Sequence, residues 1–314
     1  MPQSMTSPCL RWLLVLSLCL AGGADAVEPP PLRFPPAPRI VAVGDLHGDL
    51  RVTRSALRLA GAIDEQDRWV GGNLVLVQTG DQLDRGDDEQ AILDLFARLA
   101  GEAAAAGGAV YALNGNHELM NAALDLRYVT PGGYDDFQDA VAYDRSDSSL
   151  QQYDESRRAR IAAFRPGGRY ARVLAGRNVV LIIGDNVFVH GGVLPEHVAY
   201  GLDRVNAEVR DWLLGEKAQP EFILSRGSLV WARNYSDEVD ETDCATLRQV
   251  LDSLSARRMI VGHTVQEAGI RSFCDGRVWC VDAGMSAYYG GEVEVLEIEG
   301  DSLRVLEPDR GVVR

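Results

Sequence analysis

Unbroken apolar runs alternate with amphipathic stretches along the first third of the chain, and this rhythm predicts its architecture. Arg39-Ile-Val-Ala-Val43 has no polar position after the arginine, the pattern of a strand covered on both faces. From Leu50 to Ala60 the apolar residues Leu50, Leu57 and Ala60 fall at helical spacings. A second buried run, Leu74-Val-Leu-Val77, precedes a helix predicted from about Asp87 to Ala106. Asp87, Asp88 and Glu89 suit the positive end of that helix, and Gly107-Gly108 stops it. A third run, Ala109 to Leu113, completes a β-α-β-α-β unit, which implies a parallel sheet with right-handed crossovers.

The second half reads differently. Val179 to Ile183, Gly184-Asp185-Asn186 and Val187 to Val189 form a hairpin pattern that predicts antiparallel pairing. Thr242 to Ala256 reads as a helix with Thr242 as its cap, leading into a strand at Met259 to Val261. Two further hairpins are predicted, from Ile270 to Val281 and from Glu292 to Leu306 around Gly300-Asp301. The expected fold is α/β, a two-sheet αββα sandwich built from residues 39–314 around one core. Residues 121–177 are polar and acidic, with turn signals at Pro131-Gly132-Gly133 and Pro166-Gly167-Gly168. A structureless loop of that length does not suit a compact domain, so a largely helical insertion beside the site is expected. No internal repeat is visible.

The N-terminal residues add a compartment. Trp12 to Leu20 is a short apolar run behind Arg11, and Ala24-Asp25-Ala26 follows it as an A-x-A cleavage site. Residues 1–26 therefore read as a secretory leader cut after Ala26. The run is shorter than the roughly 20 apolar residues that cross a bilayer, so no membrane span is expected after cleavage. A periplasmic or extracellular location follows. Residues 27–38, with six prolines from Pro29 to Pro38, read as an extended tether outside the fold. Two of the five cysteines lie in the leader, and Cys244, Cys274 and Cys280 remain. An oxidising compartment permits one disulfide among them and leaves one thiol, with the pairing open. No Cys-x-x-Cys spacing suggests a thiolate metal site.

Composition excludes one class of partner. The 46% hydrophobic and 25% charged content is that of a folded soluble protein, whereas the net charge of −15 argues against nucleic acid. A small phosphorylated substrate remains compatible, because bound metal ions dominate their local field.

The chemistry lies in five short motifs, each placed just past a predicted strand. They are Gly44-Asp45-Leu46-His47-Gly48, Gly80-Asp81-Gln82-Leu83-Asp84-Arg85-Gly86, Asn114-Gly115-Asn116-His117-Glu118, His190-Gly191-Gly192 and Gly262-His263-Thr264. Functional groups of parallel α/β sheets gather at the carboxyl ends of the strands, so these segments are expected to converge. Carboxylates, imidazoles and one carboxamide without thiolate suit borderline-to-hard divalent ions such as Mn²⁺, Fe²⁺ or Zn²⁺. Two-metal hydrolases hold their ions about 3.5–4 Å apart, usually across a shared carboxylate, and Asp81 is the candidate. Asp49 reads as the cap of the following helix and His197 as a solvated side chain. Tyr288 and Tyr289 read as packing residues in preference to aromatics on the substrate side.

The ordered series resembles the calcineurin-like metallophosphoesterases. The Asp84-Arg85-Gly86 extension resembles their phosphoprotein-phosphatase branch, and the runs Gly80 to Glu89 and Gly115 to Pro131 resemble the Shewanella-like phosphatases. The resemblance spans about Arg39 to Leu306. It implies one metal, Mn²⁺ first, on Asp45, His47 and Asp81, and a second on Asp81, Asn116, His190 and His263. It further implies His117 as general acid oriented by Asp84, Arg85 as a phosphate clamp, and in-line attack by a metal-activated hydroxide. A second phosphate arginine is expected upstream of His263, with Arg233 preferred to Arg226. The expected activity is removal of phosphate from a protein, phosphotyrosine included, or from a small ester. A dinucleoside-polyphosphate hydrolase is the enzymatic alternative, and a degenerate phosphate-binding scaffold the non-enzymatic one. Gly262-His263-Thr264 departs from the Gly-His-x-His of the wider superfamily, which favours the phosphoprotein-phosphatase branch.

Overall fold

The computed structural model describes residues 30–140 and 142–308, so the leader predicted at 1–26 lies outside the described residues. The chain enters the fold through β1 (Arg33–Phe34), whose residues pair in parallel with Ile182 and Ile183, and Leu32 before it is buried. This corrects the reading of residues 27–38 as a tether outside the fold. Prolines keep the segment extended, and an extended backbone is what a sheet edge accepts as an added strand.

The first-half rhythm becomes β2 (Ile40–Val43), α1 (Leu50–Leu59), β3 (Val75–Gln78), α2 (Glu89–Ala105) and β4 (Ala109–Ala112). β2, β3 and β4 are parallel neighbours, in register from Ile40 opposite Val75 and from Val75 opposite Ala109. Asp49 caps α1, accepting the Val52 N–H at 3.0 Å. After β4 come α3 (Asn116–Ala122), α4 (Pro131–Asp135), α5 (Ser148–Gln151), α6 (Glu155–Phe164) and α7 (Arg169–Ala175). The rings of Phe137, Phe164 and Tyr170 pack together beneath these helices at 5.0–5.7 Å between centroids.

The second half supplies β5 (Val180–Ile183), β6 (Asn186–Val189), α8 (Pro195–Tyr200), α9 (Leu202–Leu213), α10 (Glu241–Leu254) and β7 (Arg258–Val261). Two hairpins end it, β8 (Arg271–Phe273) with β9 (Val278–Cys280), and β10 (Val295–Glu299) with β11 (Ser302–Leu306). The described strands form two sheets, ordered β1-β5-β6-β7-β9-β8 and β11-β10-β2-β3-β4. The expected antiparallel pairing holds for β5 with β6 and for the two hairpins, but β6, β7 and β9 run parallel. A helical return, α10, lies between β6 and β7 and restores the strand direction. α10 begins one residue before Thr242 and is capped by Asp240, whose carboxylate accepts the Thr242 and Asp243 N–H groups at 2.7 and 2.9 Å.

Period-two alternation explains the layering. Leu181, Ile183, Phe188 and Ile260 point into the core shared with β2, β3 and β10, whereas Val180, Ile182, Val187, Val189, Met259 and Val261 point to the helices on the other side. The result is the αββα sandwich. Among the three cysteines, Cys244 of α10 bonds to Cys274 in the β8–β9 turn, and Cys280 is a buried free thiol. Phe273 sits opposite Val278, so a direct 274–280 bridge would need residues that are offset along the hairpin.

Candidate dinuclear metal centre

Because β2, β3 and β4 run parallel, their carboxyl ends deliver Asp45, Asp81 and the Asn116-His117 pair to one edge. β6 and β7 do the same for His190 and His263, and Asp282 follows β9. All are at most 8% exposed. Five residues of the motifs adopt left-handed backbone: His47 (φ 47°), Asp81 (58°), Asp84 (66°), Arg85 (70°) and His263 (68°). Such conformations persist where surroundings over-determine them, and they cluster at functional sites. Glu118 is one such surrounding. Its carboxylate accepts the N–H groups of Asp81, Gln82, Leu83 and Gly115 at 2.7–3.3 Å, tying two loops together.

The donor atoms form two groups that share one carboxylate. Asp81, His190 and His263 place a ligand atom each within 4.8 Å of one another, and so do His47, Asp81 and His117. Asp81 Oδ2 lies 3.2 Å from His190 Nε2 and 3.7 Å from His117 Nε2. Asn116 Oδ1 is 2.9 Å from His190 Nε2. Asp45 Oδ2 is 3.9 Å from His47 Nε2, and its carboxylate accepts the His263 N–H at 3.2 Å. The six residues read from the sequence as ligands are therefore brought together around Asp81. His117 reaches the His47–Asp81 group through Nε2, the one ring nitrogen that Asp84 leaves free.

This donor set fits divalent cations. His47 Nδ1 and His190 Nδ1 donate to the carbonyls of Leu83 and Thr79 at 3.1 and 3.0 Å, which turns both Nε2 lone pairs to the centre. His263 Nε2 is buried without a hydrogen-bond partner, and so is Asp282 Oδ2. Burial, helped by the nearby His117, pushes His47 down to about 3, and burial holds His263 well below the ordinary histidine value. Burial and then Asp282 and Asp81 push Asp45 far up, and Asp282 is raised to about 6 chiefly by burial. Burial also acts against the charge of Asp81, but His190 and His117 outweigh it and hold that carboxylate well below its usual range. Crowded buried carboxylates beside His47 and His263, whose burial disfavours their charged forms, are relieved by a cation, and nothing in the set is a soft ligand.

Beside the candidate ligands stands the predicted acid pair. His117 Nδ1 is 2.6 Å from Asp84 Oδ2, and both side chains are buried. Arg85 opens onto a groove of about 680 Å³ lined by His47, Asp49, Arg51, Thr130 and Tyr288, among others. Its guanidinium lies 4.6, 4.7 and 5.3 Å from the ring centres of Tyr128, Tyr288 and Tyr289. Tyr288 and Tyr289, expected as packing, are 61% and 39% exposed, and Tyr289 also faces the His47 ring at 5.4 Å. Arg233 is exposed and donates to the His263 carbonyl and Thr264 Oγ1 at 3.3 and 2.8 Å, and Arg226 lies exposed in the preceding loop. His197 is buried rather than solvated. Its Nδ1 accepts the Leu194 N–H at 2.9 Å, closing the start of α8.

Sequence reasoning passed over Glu118, Asp282 and Tyr128. Glu118 adjoins two motif residues, and Asp282 follows a strand in the same manner as the chosen ligands, so position could have flagged both.

Comparison with known proteins agrees with this geometry. A family model described as calcineurin-like phosphoesterase matches residues 38–267. Shewanella-like protein phosphatase 2 of Arabidopsis thaliana is 42% identical, over 86% of this chain and 77% of its own length. Shewanella-like protein phosphatase 1 of Plasmodium berghei is 29% identical, over 80% of this chain and 68% of its own. A solved cold-active protein tyrosine phosphatase superposes with a TM-score of 0.72 at 27% identity, covering 89% of this chain and 79% of that one. The chain belongs to the calcineurin-like phosphoesterase family, in its Shewanella-like protein phosphatase branch.

Proposed function

We propose that this chain is a metal-dependent phosphomonoesterase that removes phosphate from proteins, with phosphotyrosine as its preferred ester. The observation that carries the reading is the single buried carboxylate, Asp81, shared by two histidine groups with the His117–Asp84 pair directly beside it. Two divalent ions bound there would supply Lewis-acid charge for the phosphoryl oxygens and would lower the pKa of a water. Asp45, His47 and Asp81 would hold one, and Asp81, Asn116, His190 and His263 the other. The resident ion in this reading is Mn²⁺, with which the all-nitrogen-and-oxygen set is compatible, as it is with Fe²⁺ and Zn²⁺.

The protein's own groups then complete the site. Asp84 engages His117 Nδ1 and leaves Nε2 facing the centre, where it can pass a proton to the departing oxygen. Arg85 has a buried Nε without a partner in the protein and presents its fork to the groove, a geometry that grips two phosphoryl oxygens. The three tyrosines around it supply aromatic surface for an aryl ester. Arg233 would take a second contact once it turns from the His263 loop. The disulfide supports an oxidising compartment, in keeping with export after cleavage behind Ala26. No helix of the described residues is long and apolar enough to cross a membrane.

The test is turnover of p-nitrophenyl phosphate and of matched phosphotyrosine, phosphoserine and phosphothreonine peptides with Mn²⁺, Fe²⁺ or Zn²⁺. Activity that requires metal, favours phosphotyrosine and disappears in Asp81→Asn is expected. Full activity after chelation would sink the mechanism, and equal turnover of the three peptides would sink the preference.

A further inference from the structure

Helix α6 carries three arginines, Arg157, Arg158 and Arg160, of which Arg160 alone is completely buried. A buried guanidinium is destabilising unless its partners are excellent, and an apolar pair of similar size is often at least as stable. Its partners here are unusually complete. Nε donates to Asn121 Oδ1 at 2.9 Å, and one terminal nitrogen donates to Glu89 Oε2 and to the Gly133 carbonyl. The other donates to Glu89 Oε1 at 2.8 Å and to Asp84 Oδ1 at 3.3 Å. All five N–H groups of the fork are thus used, which lysine with three donors cannot reproduce.

The network ends on the acid pair. Asp84 Oδ1 accepts from Arg160 and from Asn121 Nδ2 at 3.0 Å, so Oδ2 is left to take His117 Nδ1. The Asp84 backbone, strained at φ 66°, donates its N–H to Glu89 Oε1, an oxygen that Arg160 also holds. Asn121 Nδ2 further donates to the His117 carbonyl at 2.9 Å. Arg160 therefore reaches the carboxylate, its backbone and, through Asn121, the histidine.

We propose that Arg160 is a positioning residue: held in the 121–177 segment, it locks the Asp84 carboxylate so that His117 keeps the tautomer and place required to protonate the leaving oxygen. The inference rests on the proposed phosphatase reading. An aryl phosphate with a poor leaving group, phenyl phosphate, needs that proton, whereas 2,4-dinitrophenyl phosphate does not. Arg160→Met is expected to lose about 10–100-fold in kcat on phenyl phosphate, the usual effect of removing an orienting partner, with KM and dinitrophenyl turnover nearly kept. Arg160→Lys should fall between. The double variant Arg160→Met/Glu89→Gln removes both buried charges and serves where the single variant does not fold. A second readout needs no metal. The low-field imidazole proton of the His117–Asp84 bond, assigned by its loss in His117→Asn, should broaden or vanish in the Arg160 variants. Equal losses on both esters, or an unchanged imidazole proton in a folded variant, would overturn the role of Arg160. If His117→Asn itself shows no leaving-group dependence, the acid assignment fails instead, and the imidazole resonance still decides whether Arg160 holds the pair.

Discussion

Replacing Gly115 by alanine tests whether the ligand loops are spaced by the absence of a side chain. A Cβ there would stand 2.2 Å from Asp81 Oδ1 and 2.7 Å from Asp81 N. Ordinary contact begins near 3.4 Å, so the shared carboxylate must retreat by about 1.2 Å, the difference between the two distances. Gly115 has φ −88°, so alanine meets no backbone objection and the perturbation is purely steric. The retreat also stretches the 3.0 Å bond from the His117 N–H to Oδ1. Overpacking of this kind costs about 1–3 kcal/mol of stability. A displacement of about 1 Å at a reacting centre costs about 10²-fold in rate. Gly115→Ala should therefore lose bound metal by elemental analysis and about 10²-fold in kcat, with a modest fall in melting temperature. Gly101→Ala is the control. That glycine lies exposed within α2 with nothing within 4 Å of its Cβ, so the same change should stabilise by about 0.5–1 kcal/mol and leave metal content alone. A folded Gly115→Ala protein with two bound ions and wild-type kcat would refute the steric reasoning.

Cys274→Ser opens a loop of 30 residues' separation, and the chain-entropy estimate puts the loss at about 3–4 kcal/mol, readable as a lower denaturant midpoint in non-reducing buffer. An unchanged midpoint would show that Cys244–Cys274 does not hold α10 to the β8–β9 turn. Arg85→Ala would remove the proposed charge-assisted phosphate contact, worth about 1.5–3 kcal/mol, so kcat/KM should fall about 10–100-fold while metal stoichiometry is kept. Loss of metal instead would place Arg85 in the centre's scaffold.

How much was legible depended on the range of the interaction. The β-α-β-α-β start was readable because a strand covered on both faces must be apolar throughout, as Ile40 to Val43 is. The candidate ligands, which the structure brings together, were readable because each follows such a run. Residues 27–38 misled because proline content reports an extended backbone and not whether a sheet edge receives it. The parallel run of β6, β7 and β9 was hidden because apolar alternation sets which face a residue takes, not the direction of its neighbour.

Local chemistry, then, was decided by the sequence: which residues could bind a hard cation, which backbone turns needed glycine, and where strands began and stopped. Only the tertiary structure decided that Cys244 meets Cys274, that Tyr288 stands in the groove, and that Arg160 reaches Asp84 from 76 positions away. Each of those contacts joins residues whose separation along the chain carries no pattern of its own. Each forms because two sheets and their covering helices have already packed, and the packing places partners that no local preference selects.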